Sequence, residues 1–329
     1  MELLVLGGTE FVGRAVAEAA VEGGWQVTVF HRGRHPAPAG VKVLTGDRLG
    51  DLGALDGGRW DAVVDTWSAE PGAVRASARA LLGRVGRYAY VSSRSVYAWP
   101  TPAGLDESAP VVEGGDGDYA AVKRGGELAA EEAFGDRALL VRAGLILGPW
   151  ENVGRLPWWL QRLARGGEVL APGPRDLALQ YVDVRDLAAW TLDALAMGLG
   201  GPYNVVSPPG HTTMGELLAE CAAATGSSAV LRWAPPEVIE AAGIEPWTQL
   251  PVWLPPGEDY DTMHGGDVSK ALAAGLRCRP IAETVADTWT WLRSLPGPAP
   301  QRPDRPPVGL PAEIEARVLA ELGPRSSDG

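Results

Sequence analysis

Apolar residues in the first half of the chain fall into short strand-length runs, separated by stretches with helical spacing. Glu2-Leu3-Leu4-Val5-Leu6 is the first run, and Arg14 to Val21 follows with the three- and four-residue intervals of a helix. The alternation continues through strands at Gln26 to Phe30, Val41 to Leu44 and Asp61 to Asp65, a helix over Ala73 to Leu82, and a strand at Tyr88 to Ser92. A Pro- and Gly-rich loop then runs from Trp99 to Asp118. It leads to a helix from Tyr119 to about Phe134 and a strand at Ala138 to Arg142. Alternating elements of these lengths predict an α/β fold, a doubly wound parallel sheet with helices on both faces. Ligands in such sheets bind at the carboxyl ends of the strands, where the strand order reverses.

The rhythm changes after Gly148-Pro149. A helix is expected over Gly154 to Arg165, another from Asp186 to Ala196, a strand at Pro202 to Val206, and helices over Thr213 to Ala224 and Ile281 to Leu292. The Trp- and Pro-rich stretch from Trp233 to His264 fits no periodicity. Leu295 to Pro307 reads as an extended Pro-rich linker, and Pro311 to Leu322 as a last helix. The expected organisation is a dinucleotide-binding domain over 1–149, completed by about 178–206. A smaller substrate lobe would use 150–177 and 207–294, with the linker and helix over 295–329.

Composition narrows the function classes. With 46% hydrophobic and 21% charged residues, the 329-residue chain is of ordinary soluble type and long enough for two lobes. A net charge of −12 repels phosphate backbones, so no nucleic-acid partner is expected. Two distant cysteines, Cys221 and Cys278, make neither a disulfide framework nor a zinc site, so no metal is expected. The first strand begins at residue 2 without a basic-then-apolar leader, and no apolar run reaches membrane-spanning length. The expectation is a cytoplasmic protein with no membrane partner.

Two stretches carry candidate chemistry. Between the first strand and helix lies Gly7-Gly8-Thr9-Glu10-Phe11-Val12-Gly13. Gly7 permits a tight turn and Gly13 lets helix and strand approach. The helix N-terminus then offers free N–H groups and a positive dipole end to a pyrophosphate. Glu10 stands where the usual pattern has its middle glycine, and its carboxylate is expected to point away and cap its own helix. The second stretch is Tyr119-Ala120-Ala121-Val122-Lys123. That spacing puts a phenol and an ammonium on one helical face, a turn apart. A nearby cation favours phenolate and makes the tyrosine a general acid/base; the bland alternative is an exposed helix pair. Upstream, Val91-Ser92-Ser93-Arg94-Ser95-Val96-Tyr97 places hydroxyls at the ligand-binding end of the sheet.

At this point the chain resembles the extended short-chain dehydrogenase/reductase superfamily, the NAD-dependent epimerases and dehydratases and their relatives. The glycine turn, Gly46-Asp47-Arg48, Ser92 to Tyr97, Tyr119 to Lys123, Arg142 to Pro149 and Tyr181 to Leu187 occur in the family's order over about residues 2–292. With a non-glycine at Glu10, the turn looks like the isoflavone-reductase-like subgroup, whose form the chloroplast stem-loop RNA-binding relatives share. The resemblance implies a Rossmann-type fold in which Tyr119 is the acid/base. Ser93 would hydrogen-bond the reacting oxygen, and Lys123 would hold the nicotinamide ribose and tune the phenol. Gly7, Thr9, Phe11, Val12, Gly13, Asp47 and Arg48 become cofactor-binding residues, with Asp47 against the adenine. Arg142 and Asp183 to Asp186 read as scaffold.

The end of the second strand, Phe30-His31-Arg32-Gly33-Arg34, lacks the acid that binds a ribose 2′-hydroxyl. Arg32 there suits a 2′-phosphate, so NADP is expected over NAD; the bland alternative is a solvated surface arginine. The expected function is NADP-dependent oxidoreduction of a carbonyl or secondary alcohol on a small molecule. The alternatives are a nucleotide-sugar epimerase or dehydratase that retains NAD, and a nucleic-acid-binding relative without enzymatic activity. Relatives often dimerise through the helix bearing the tyrosine, so a homodimer is the protein partner to expect. Most of the tryptophans read as core or lid packing, and His211 and His264 as surface or hydrogen-bonded loop residues.

Overall fold

The computed structural model describes residues 1–323 and divides the chain into two compact units. The first comprises 1–146, 181–208 and 265–278. Its centre is a seven-stranded sheet formed by β1 (Glu2–Leu6), β2 (Gln26–His31), β3 (Lys42–Thr45), β4 (Trp60–Asp65), β5 (Val85–Ser93), β6 (Ala138–Ala143) and the strand Gly201–Val205. Every pairing is parallel, and the order is β3-β2-β1-β4-β5-β6 followed by Gly201–Val205. The chain moves outward from β1 through β2 to β3, then returns to place β4 on the other side of β1. The strand order therefore reverses between β1 and β4, and their carboxyl ends flank the crevice where such sheets take ligands.

Helices α1 (Phe11–Glu22) and α5 (Val184–Ala196) pack together on one face. Helices α2 (Pro71–Ala80) and α3 (Tyr119–Phe134) pack together on the other. Side chains alternate along each strand, so Leu3 and Val5 join the core under α1 and α5, while Leu4 and Leu6 join the core under α2 and α3. Both faces are covered, and this is why β1 reads as an apolar run from Leu3 to Leu6. Residues 265–278, expected with the substrate lobe, group instead with this unit: Ala271 and Leu276 enter the core beneath α5, and the Trp190 indole donates to the Ala274 carbonyl at 3.2 Å.

The second unit comprises 147–180, 209–264 and, among the described residues, 279–323. It contains helices α4 (Arg155–Ala164) and α6 (Met214–Thr225), the helix Ile281–Ser294, and a parallel strand pair, Glu168–Pro172 with Val230–Ala234. The stretch that fits no periodicity folds into short pieces held by tertiary bonds. The Trp159 indole donates to the Pro251 carbonyl at 2.8 Å, and that of Trp253 to Gly173 at 2.9 Å. Trp247 and Val252 there take positive φ angles of 65° and 75°, a conformation no local pattern announces. The last helix, Ala312–Glu321, is tied down by Arg162, which bonds Glu315 at 2.7 Å. No helix among the described residues is long and apolar enough to cross a membrane.

One buried acid gives the second unit a pH dependence. Glu151 is fully buried and accepts hydrogen bonds from the Arg155 and Leu156 N–H groups at 2.8 and 3.2 Å, at the start of α4. Burial outweighs these bonds and the Arg155 charge, and pushes its carboxyl up to about 7. The unfolded chain releases this proton near the ordinary carboxylate value, so stability is full below about 4.5 and falls as pH rises through about 7. Glu151→Gln keeps an acceptor without the buried charge. It is expected to be more stable than the parent at pH 8 by roughly 3 kcal/mol, with little difference at pH 4. Denaturant unfolding at the two pH values reads this out; an equal difference at both would show that Glu151 does not titrate there.

Candidate functional site

Within the first unit, the candidate residues lie at the carboxyl ends of β1, β2, β3 and β5 and at the start of α3. The turn after β1 is tight for a stated steric reason. Gly7 has φ 93°, and a Cβ on Gly13 would come within 2.2 Å of the Gly7 carbonyl oxygen. No side chain fits at Gly13, so the α1 N-terminus comes close to the strand, with Phe11 and Val12 at its head and Thr9 buried beside it. This cradle fits the pyrophosphate of a dinucleotide. Glu10 occupies the N-cap position with extended backbone, but its side chain makes no capping bond there. Its carboxylate lies 3.6 Å from the His35 ring, which corrects the capping expectation.

Arg32 follows β2 directly and is exposed, with no carboxylate at that strand end. Asp47 is half-buried in the turn after β3, where its Oδ1 accepts the Leu49 N–H at 3.0 Å. Arg48 departs from expectation. Its guanidinium is buried and forms a two-pronged pair with Asp65, donates to Ser77 Oγ at 3.1 Å, and reaches the Ala73 carbonyl. The Arg48 side chain is therefore spent on the inside of the sheet, where it ties β4 to α2, and is not offered to a cofactor. The cause is Asp65 at the end of β4: a fully buried carboxylate needs a matching charge.

Asp118 caps α3, its carboxylate accepting the Ala121 N–H at 2.9 Å. Tyr119 is thus the first helical residue and is 39% exposed, so its phenol remains within reach of a ligand. Lys123, a turn further, is 2% exposed. Its ammonium donates to the carbonyls of Trp67 at 2.9 Å and Val91 at 2.5 Å, and lies 4.3 Å from the centre of the Tyr90 ring. The Tyr90 hydroxyl also donates to the Trp67 carbonyl, at 3.0 Å. Burial, then Asp65, then the neighbouring Tyr119 hold the Tyr90 phenol well above its ordinary pKa, so Tyr90 stays protonated. Gly126 makes this approach possible, because a Cβ there would come within 2.4 Å of the Tyr90 ring.

Ser93 ends β5 and caps the short turn Arg94–Val96: its Oγ accepts the Ser95 N–H and bonds Ser95 Oγ, each at 3.1 Å. Ser92 is buried at 3% exposure, whereas Ser93 and Ser95 are half-buried. The turn packs against α3. Beneath it, Arg142 binds Glu127 of α3 at 2.9 and 3.0 Å and the Tyr97 hydroxyl at 3.1 Å, and Tyr97 in turn donates to Asn204 at 2.7 Å. This buried network locks the serine turn, α3 and the strand Gly201–Val205 together. The carbonyls of Trp67 and Val91, the Tyr90 phenol and Glu127 had no motif to mark them. Their only signal was position, at strand ends or one helical turn beyond Lys123.

A model of the NAD-dependent epimerase/dehydratase family matches residues 3–206. The chain belongs to this family. No curated protein sequence matches it. Among solved structures, this epimerase/dehydratase-family protein is similar to one from Burkholderia cenocepacia J2315 described as an epimerase, at 24% identity and TM-score 0.68, covering 89% of this chain and 98% of that one. It is also similar to the Bordetella bronchiseptica enzyme WbmH in complex with NAD+, at 19% identity and TM-score 0.63, with 89% and 98% covered. A third is UDP-glucuronic acid 4-epimerase from Bacillus cereus in complex with NAD, at 16% identity and TM-score 0.65, with 90% and 98% covered. These likenesses establish the Rossmann-type fold of the epimerase/dehydratase-family protein. They do not extend to the isoflavone-reductase-like subgroup that the glycine turn resembles.

Proposed function

We propose that this protein is an NADP-dependent oxidoreductase that interconverts a carbonyl and a secondary alcohol on a small molecule. The observation that carries the chemistry is the placement of an accessible Tyr119 phenol one helical turn from a buried, carbonyl-anchored Lys123, on a helix packed against the Ser93 turn. The nicotinamide cofactor would supply hydride exchange with the substrate carbon. Tyr119 gives a proton to the substrate oxygen in reduction and takes it in oxidation. Ser93 Oγ donates a hydrogen bond to the same oxygen. Lys123 stands one helical turn behind the phenol, held in place by the Trp67 and Val91 carbonyls. Gly7, Thr9, Phe11, Val12 and Gly13 hold the pyrophosphate, and Asp47 borders the adenine side.

Arg32 supports NADP over NAD, since a guanidinium matches a 2′-phosphate and no acid stands at that strand end to bind a free hydroxyl. Fluorescence titration is expected to show NADPH binding at least about tenfold tighter than NADH, with the difference lost in Arg32→Ala. Unchanged NADPH affinity in that variant would remove the coenzyme argument. A second reading, a nucleotide-sugar epimerase or dehydratase that retains NAD and returns the hydride to the same substrate, is favoured by the family match and by the NAD-bound neighbours. Mass spectrometry of co-purified nucleotide separates the two: stoichiometric, non-exchanging NAD would establish the second reading and overturn the first.

A further inference from the structure

The amino ends of four adjacent strands form a feature that the dinucleotide chemistry does not use. The starts of β1, β4, β5 and β6 surround an open cleft of about 600 Å³, a volume within the range of small-molecule sites. Arg59, Arg84 and Arg137 line it, in a chain whose net charge is −12. Arg84 is balanced by Asp56, 3.2 Å away. Arg59 and Arg137 are held differently. Arg59 donates to the Gly83 carbonyl at 3.3 Å and Arg137 to the Gly86 carbonyl at 3.1 Å, and neither joins an ion pair among the described residues. Backbone carbonyls orient these guanidiniums without neutralising them, and each has five N–H donors, of which the carbonyl takes one. Two guanidiniums outside ion pairs among the described residues, on one concave surface, match a dianion better than a single carboxylate.

The same cleft is lined by the acids Glu2 and Asp61; the Asp61 carboxylate also accepts the Glu2 N–H at 2.8 Å. These carboxylates would repel a ligand that is anionic throughout and accept hydrogen bonds from one bearing hydroxyls. The Trp60 ring is 8% exposed and lies under Gly58, where a Cβ would meet it at 2.0 Å, so it offers no face on which a nucleotide base could stack. We propose that this cleft is a second ligand site that takes a small phosphorylated polyol, with phosphate on Arg59 and Arg137 and hydroxyls on Glu2 and Asp61. It lies a strand length, roughly 17–20 Å, from the carboxyl-end crevice, so both can be filled at once. Neither the coenzyme nor the reaction at the carboxyl-end crevice enters this cleft.

Calorimetric titration of the full chain with glucose 6-phosphate, inorganic phosphate and glucose tests it, in the presence of saturating NADPH or NAD. Glucose 6-phosphate is expected to bind with a Kd below about 1 mM, and phosphate and glucose each at least about tenfold more weakly. Arg59→Ala/Arg137→Ala should weaken glucose 6-phosphate by about tenfold or more, while Arg32→Ala leaves it unchanged. Should the double variant fold poorly, Arg137→Ala alone carries the test with a loss of about threefold or more. No saturable binding up to about 10 mM would overturn the proposal. So would affinity unchanged in the cleft variants, equal affinity for phosphate and glucose 6-phosphate, or a loss in Arg32→Ala.

Discussion

Tyr119→Phe is expected to lower turnover by about 10²–10⁴ while dinucleotide affinity stays within about twofold of the parent. The size follows from what the change removes. A positioned general acid/base contributes about that factor, and the phenol is the accessible proton donor of the Tyr119, Lys123 and Ser93 set; Lys123 is 2% exposed and committed to two carbonyls. Because Tyr119 is 39% exposed and begins its helix, losing one hydroxyl should leave folding stability nearly untouched. Turnover would be read against a panel of carbonyl compounds and UDP-sugars, with the dinucleotide titrated separately by fluorescence. Parent-like turnover in the phenylalanine variant would end the assignment of Tyr119, whichever substrate proves correct.

Arg48→Ala is expected to cost about 3–5 kcal/mol of folding stability, the largest loss we foresee from a single truncation. Asp65 is 0% exposed, and its two oxygens are shared among the Arg48 guanidinium, the Tyr88 hydroxyl and the Trp67 N–H. Removing Arg48 leaves a buried carboxylate with two neutral donors and no counter-charge. Ser77 Oγ and the Ala73 carbonyl lose a donor as well. Replacing both partners together, Arg48→Met with Asp65→Leu, should recover much of the loss, because no uncompensated charge then remains. Denaturant unfolding of the three variants measures this. A loss below about 1 kcal/mol for Arg48→Ala would show that water enters and solvates Asp65. If Arg48 touched the cofactor through its side chain, folded Arg48→Ala would bind NADPH more weakly; the buried geometry predicts that it does not.

The two residues of Gly46-Asp47-Arg48 that carry charge show how far a motif can be read. The motif marked Asp47 and Arg48 together as cofactor residues, but not which side chain turns inward. Arg48 turns inward because of Asp65, seventeen positions later, and only the pairing of β1 with β4 and the seat of α2 bring Asp65 to it. Lys123 is a similar case. Its spacing from Tyr119 was legible, but the two carbonyls that anchor it come from the ends of β4 and β5, far away in the chain. Glu10 shows the converse: its departure from the glycine pattern was plain, yet its partner is His35 rather than its own helix.

From the sequence alone came the strand–helix alternation, the glycine turn, the tyrosine–lysine spacing and hence the Rossmann-type fold. These rest on near-neighbour periodicity and backbone sterics, which a one-dimensional pattern records. The tertiary structure alone decided the inward turn of Arg48 and the burial of Glu151. It also decided the return of 265–278 to the first unit and the irregular path through Trp247 and Val252. Each of these depends on desolvation or on a bond to a residue remote in sequence. Charge and shape are set there by what the fold brings near, and no local pattern carries that information.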